Sequence, residues 1–181
     1  MRAGAFLRRF NASDGREVII RTPEWDDLDD MLEFINSLVD EGANILMDAR
    51  KTRDEELEWL ANLLKMVERD RGVAVAAEVA GRFVGLVEVG VRPGRSRHVG
   101  VLGVSLRQGY RGVGIGTELM REAEDQARRL GLEVLTLEVF SVNEGARRLY
   151  EMLGYRVTGV VPRGVKKDGV YVDSVSMAKG L

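Results

Sequence analysis

The sequence predicts one mixed α/β (α+β) domain, a mostly antiparallel sheet of about seven strands with about four helices. Three observations predict it. The 181 residues fit one domain of roughly 150 residues with short extensions. Strand-like and helix-like runs follow one another in the order βααβββαβαββ, with no internal repeat and no interior linker. In the middle of the chain, a turn with glycines at alternate positions joins a strand to a helix.

Residues 1–16 are read as a mobile N-terminal extension, ending in the turn-prone run Asn11-Ala12-Ser13-Asp14-Gly15, and 17–181 as the domain. Glu17–Arg21 is a short first strand. Thr22 is expected to cap a helix whose first position is Pro23, with Trp25, Leu28, Met31, Leu32, Ile35, Leu38 and Val39 at helical spacing and Gly42 as its stop. Ala43–Lys51 has no clear period and reads as a loop. Thr52-Arg53-Asp54-Glu55 has capping-box form, and Leu57, Leu60, Leu64 and Val67 follow on one side of a second helix. Val73–Val79 and Phe83–Val91 form a hairpin around Ala80-Gly81-Arg82, and Val99–Leu106 is the next strand. Thr117–Leu130 is an amphipathic helix, Leu132–Phe140 an apolar strand, and Asn143–Leu153 a shorter helix. Tyr155–Val161 and Gly169–Met177 close the order as an antiparallel pair, with Pro162–Asp168 between them as a loop.

Composition removes much chemistry. The chain has no cysteine, which excludes disulfides, thiolate metal sites and a cysteinyl nucleophile. Its single histidine, His98, cannot build a His-rich metal site. The 27 Lys and Arg against 29 Asp and Glu leave a net charge of −2, the wrong balance for a nucleic-acid binder. No run reaches signal-peptide or membrane-spanning length, so a cytoplasmic protein without a membrane partner is expected.

The turn Gln108–Thr117 carries the most chemistry. Glycines let backbone approach a ligand closely, and the unpaired N–H groups of the helix that follows favour an anion, above all a phosphate. No lysine occurs in the segment, so it is no Walker loop, and neither glycine frame fits the dinucleotide fingerprint G-x-G-x-x-G. Arg111-Gly112-Val113-Gly114-Ile115-Gly116 instead resembles the acyl-CoA signature Q/R-x-x-G-x-G/A of the GNAT superfamily of N-acetyltransferases. Downstream, Asn143, Ala146, Leu149, Tyr150, Gly154 and Tyr155 match that family's N-x-x-A-x-x-L-Y-x-x-x-G-F/Y segment in order.

The resemblance implies a splayed central pair of parallel strands, Val99–Leu106 and Leu132–Phe140, holding acetyl-CoA as co-substrate with no metal. Val104, Ser105 and Leu106 are then expected to pair with the pantetheine arm. Arg111, Gly112, Val113, Gly114, Ile115, Gly116 and Thr117 would cradle the pyrophosphate, and the Asn143 side chain would contact CoA. It further implies Tyr150 as general acid toward the departing thiolate, and an exposed C-terminal edge suited to a homodimer.

The base is left among three carboxylates. Glu138 interrupts the apolar run Leu135–Phe140 and, by strand alternation, faces away from Leu137 and Val139. A partly desolvated carboxylate there would have a raised pKa, suited to accepting a proton. Glu138 lies twelve residues before Tyr150, a spacing that resembles the ribosomal-protein-alanine N-acetyltransferase branch. Glu88 and Asp173 are the other candidates. The expected reaction is direct transfer to a primary amine, of a protein N-terminus or of a small molecule such as a polyamine, amino acid or antibiotic. A non-catalytic CoA-binding sensor is the alternative outside enzymology.

Overall fold

The computed structural model describes residues 1–181. Eight strands form one sheet in the order β1-β2-β3-β4-β5-β6-β8-β7. They are β1 (Phe6–Asn11), β2 (Glu17–Arg21), β3 (Gly72–Val79), β4 (Arg82–Val91), β5 (Val99–Leu106), β6 (Val134–Phe140), β7 (Arg156–Lys167) and β8 (Val170–Gly180). The helices are α1 (Leu28–Asp40), α2 (Arg53–Glu68), α3 (Ile115–Arg129) and α4 (Glu144–Met152). The mixed class, the element order from Glu17 onward and the four helices agree with the sequence reading.

Three local expectations change. The extension holds a strand: β1 pairs with β2 from Phe6↔Arg21 to Asn11↔Glu17, and the Met1 ammonium lies 3.0 Å from Asp70. Thr22 does not cap α1; its hydroxyl accepts from Ala5 N at 2.7 Å and donates to Arg2 O at 2.6 Å, tying that segment down. Glu24 and Asp27 form the capping box instead, around a short 3-10 turn before α1. Finally, 162–168 is not a free loop. β7 runs to Lys167, bending through a register shift between Val161 and Val165. Its edge position tolerates Pro162, which has no N–H to give a neighbour.

Alternation along the strands sorts the core into two layers. Val73, Val75, Val87 and Val89 face α3, which contributes Ile115, Leu119, Met120, Ala123 and Ala127. Ala74, Ala76 and Leu86 face α1 and α2, against Met31, Phe34, Leu38, Leu60 and Leu64. Burial on both faces explains why β3 reads as a continuous apolar run. Leu119 is fully buried in the first layer. Leu119→Ala is expected to cost about 2–5 kcal/mol, read as a lowered urea midpoint. The acidic start of α1 is structural: Arg21 bridges Asp27 and Glu78, Asp30 meets Arg107, and Asp29 meets Arg53.

The feature that positions the site is the meeting of β5 and β6. These strands are parallel and pair only at Val99↔Val134, Gly100↔Leu135 and Val101↔Thr136. Beyond that, β5 keeps its other edge on β4 as far as Leu106↔Gly85, and β6 stays on β8 as far as Phe140↔Ser174. The two strands part, as the resemblance implied. No helix is long and apolar enough to cross a membrane.

Candidate active site

A cavity of about 910 Å³ opens where β5 and β6 separate. One end is walled by the glycine turn, the starts of α3 and α4, and Val104, Ser105 and Leu106; the other by α1, the 41–51 loop and α2. Past Val101, the edge of β5 that faces β6 has no strand partner. Peptide groups left free there can pair with the amides of an extended ligand.

At the turn, Gly112 and Gly114 adopt φ of +74° and +91°, which a side chain would oppose. Gly114 is the N-cap of α3, without a side-chain cap. The first turn of α3 therefore presents free N–H groups, reinforced by the helix dipole, where the cavity can take a phosphate. Gly116 serves a second need: a Cβ there would meet Leu106 Cδ1 at 3.0 Å and Leu149 Cδ2 at 3.4 Å. Arg111 Nε donates to Leu106 O at 2.8 Å, and its guanidinium pairs with Glu41 at the end of α1. Val113, partly buried, faces the core, and its carbonyl accepts from Ser13 N at 3.0 Å. Ile115 is buried beneath the turn; its backbone, with those of Gly116 and Thr117, starts the helix. Of the residues expected in the cradle, Arg111, Gly112, Gly114, Gly116 and Thr117 line the cavity, and the side chains of Val113 and Ile115 pack into the core instead.

Asn143 caps α4: its Oδ1 accepts from Ala146 N at 3.3 Å, and its amide nitrogen remains able to donate into the cavity it lines. Tyr150, on the inner face of α4, is 6% exposed. Its ring meets Tyr155 edge-on at 6.1 Å. Burial alone pushes its hydroxyl up to about 12, so it is protonated at neutral pH and can donate. An uncapped helix start, a free strand edge and a donor hydroxyl on the cavity wall fit a pyrophosphate–pantetheine thioester such as acetyl-CoA.

The three candidate carboxylates separate. Glu88 on β4 pairs in register with Gly103 of β5 and lies against it, with Oε1 3.4 Å from where a Cβ would sit. It lines the cavity. Desolvation raises its carboxyl above the ordinary carboxylate range; Lys51 opposes that shift and Glu56 adds to it. Glu138 also lines the cavity and accepts from Ser174 Oγ at 3.3 Å, but it is exposed, so the expected desolvation is not found. The reason is layering: α1 and α2 cover the sheet only about as far as β4, leaving that face of β6 open. Asp173 is outside the cavity lining and accepts from Arg163 N at 2.8 Å. His98 is exposed at the far end of β5, where its carbonyl accepts from Glu133 N at 2.8 Å.

Sequence reasoning missed the far wall. Lys51 Nζ lies 3.0 Å from Glu56, which is 2% exposed. A signal existed: Glu56, Leu60, Leu63, Leu64 and Val67 form the buried stripe of α2, whereas Leu57 is exposed. A carboxylate on a helix's apolar stripe asks for a buried cation. The end of β7 and the loop after α1 meet, since Lys167 Nζ donates to Gly42 O and, at 3.0 Å, to Asn44 Oδ1.

Residues 33–155 match the model of the acetyltransferase (GNAT) family. The sequence is 30% identical over 115 residues to an L-methionine sulfoximine/L-methionine sulfone acetyltransferase of Pseudomonas aeruginosa, covering 60% of this chain and 64% of that one. Among solved structures, a ribosomal-protein-alanine N-acetyltransferase from Brucella melitensis superposes with a TM-score of 0.80 at 28% identity, covering 90% of this chain and 99% of that one. The structure of yncA from Salmonella typhimurium, solved with its cofactor acetyl-CoA, superposes with a TM-score of 0.80 at 26% identity, covering 91% of this chain and 94% of that one. With the glycine turn, the parted strands and Tyr150 all in one cavity, the chain belongs to the GNAT acetyltransferase family.

Proposed function

We propose that this chain is an N-acetyltransferase that moves an acetyl group from acetyl-CoA to the primary amine of a small molecule, with both substrates bound together. The observation that carries this reading is the single cavity, with free backbone donors at one end, a carboxyl of raised pKa at the other and Tyr150 on its wall. Without cysteine there is no thiol to hold an acyl group, so direct attack by the amine is the simplest route.

In this reading the backbone of Gly112–Thr117 holds the pyrophosphate, Val104–Leu106 the pantetheine arm, and the Asn143 amide adds a donor. Acetyl-CoA supplies an activated carbonyl and a thiolate leaving group. Glu88 accepts a proton from the attacking amine, so that a C–N bond can form as the C–S bond breaks. Tyr150 donates a hydrogen bond to the sulfur as charge develops there. The amine's lost proton balances the proton gained by the thiol. Glu88 takes precedence over Glu138 because its proton affinity is raised by desolvation.

Enclosure favours a small acceptor. The Lys167 contact to Gly42 and Asn44 spans from β7 to the loop after α1, where an extended peptide would need an open groove. The name of the Pseudomonas relative points the same way; that of the Brucella structure keeps a protein N-terminus as the second reading. Thiol release from acetyl-CoA, measured against small amines, amino acids and alanine-terminated peptides, distinguishes the two. A small acceptor is expected to win on kcat/KM by about tenfold or more. Preference for the peptides overturns the small-acceptor reading.

A further inference from the structure

The acceptor end of the cavity contains an ammonium held in place by three separate devices. The backbone of Lys51 is clamped by one side chain: Asn36 Oδ1 accepts from Lys51 N at 2.7 Å, and Asn36 Nδ2 donates to Lys51 O at 3.0 Å. Its Nζ donates to Glu56 Oε2 at 3.0 Å. The same ammonium stands 5.0 Å from the centre of the Trp59 ring. Asn36 and Glu56 are themselves buried, at 6% and 2% exposure.

Such a pair is a poor way to gain stability, because desolvating two ions offsets most of their attraction. It is a good way to fix a charge. An ammonium has three protons; Glu56 takes one, and Lys51 lines the cavity with donor capacity left over. Across from it, Glu88 has no cation within salt-bridge distance. Around both lie Phe34, Ile35, Leu38, Trp59 and Leu86, an apolar lining.

We propose that Lys51 reads a carboxylate on the acceptor, so that the substrates are α-amino acids with apolar side chains. This rests on the acetyltransferase reading above. The amino group lies toward Glu88, the carboxylate toward Lys51, and the side chain among the apolar residues. Lys51 is thus a specificity-determining residue, with Asn36 and Glu56 positioning it.

The test compares L-leucine, L-leucinamide and 3-methylbutylamine as acceptors in the thiol-release assay, using the whole chain. The wild type is expected to prefer leucine over the amine that lacks the carboxylate by about tenfold or more in kcat/KM, the worth of one charge-assisted hydrogen bond. Lys51→Met is expected to erase that ratio mainly by raising the KM for leucine, and Lys51→Arg to restore part of it. Because Lys51→Met strands Glu56, the double variant Lys51→Met with Glu56→Leu replaces the whole pair by apolar groups, and its melting transition reports folding. Equal use of the three acceptors by the wild type overturns the proposal, as does an unchanged ratio in a folded double variant. Release with none of the three, nor with any other amine, overturns the acetyltransferase reading itself.

Discussion

Tyr150→Phe is expected to lower kcat by about 10²–10⁴-fold, the range for losing a positioned proton donor, while acetyl-CoA affinity stays close to wild type. The change removes one oxygen from a side chain whose ring is 6% exposed and packed edge-on to Tyr155. The fold and the glycine cradle keep their contacts. What is lost is the donor on the cavity wall. Burial holds that hydroxyl at about 12, well above a thiol near ~8.5. In the proposed reaction Tyr150 would therefore act by hydrogen bonding as negative charge develops on sulfur, rather than by surrendering its proton early. The lost interaction exists mainly in the transition state, so the effect belongs in kcat rather than in KM. An unchanged kcat removes Tyr150 from the chemistry.

Glu88→Gln is expected to produce the second large loss, about 10²–10⁴-fold in turnover, with a pH signature. With Glu88 as the base of the proposed reaction, wild-type activity is expected to rise with pH through the raised carboxyl pKa of Glu88, because the base works only when ionised. In the variant that rise disappears, and what remains follows the amine's own deprotonation. Stability should move the other way. A carboxyl whose folded pKa is raised costs stability above that pKa, where it must ionise while desolvated, and the cost fades as pH falls through it. Glu88→Gln is then expected to be at least as stable as wild type at neutral pH, by thermal unfolding. Glu138→Gln is the matched control: if it abolishes the acidic limb of the pH profile and Glu88→Gln does not, the base is Glu138.

Local chemistry was legible in the sequence wherever backbone conformation dictates the residue. Gly112 and Gly114 are glycines because the turn needs positive φ, and Gly116 sits where a methyl group would crowd the side-chain ends of Leu106 and Leu149. Thr52 with Glu55 was legible as a capping box, whereas Asn143, expected to contact CoA, turned out to cap α4 with its Oδ1. Less legible was whatever depends on which face is covered. Alternation turned Glu138 away from Leu137 and Val139 correctly, but its exposure follows from where α1 and α2 end over the sheet. β1 escaped notice because it is an edge strand, with Phe6 61% exposed and arginines at 8 and 9. The tail of β7 was hidden behind Pro162 and Gly164, which read as loop unless the strand is known to be an edge. Lys51 and Glu56 are only five residues apart, and the signal for their pairing, a carboxylate on the buried stripe of α2, is readable only once that stripe is assigned to Glu56 rather than to Leu57.

In the proposed binding mode, acetyl-CoA is held by the backbone of the glycine turn and by the free edge of β5. Titrating acetyl-CoA into the ¹⁵N-labelled chain and following backbone amide resonances tests it most directly. The amides of Gly112, Gly114, Gly116 and Thr117 should shift strongly, together with those of Val104–Leu106, saturating at one equivalent. Saturating acetyl-CoA that leaves those amides unmoved, or moves only resonances elsewhere, would contradict the claim.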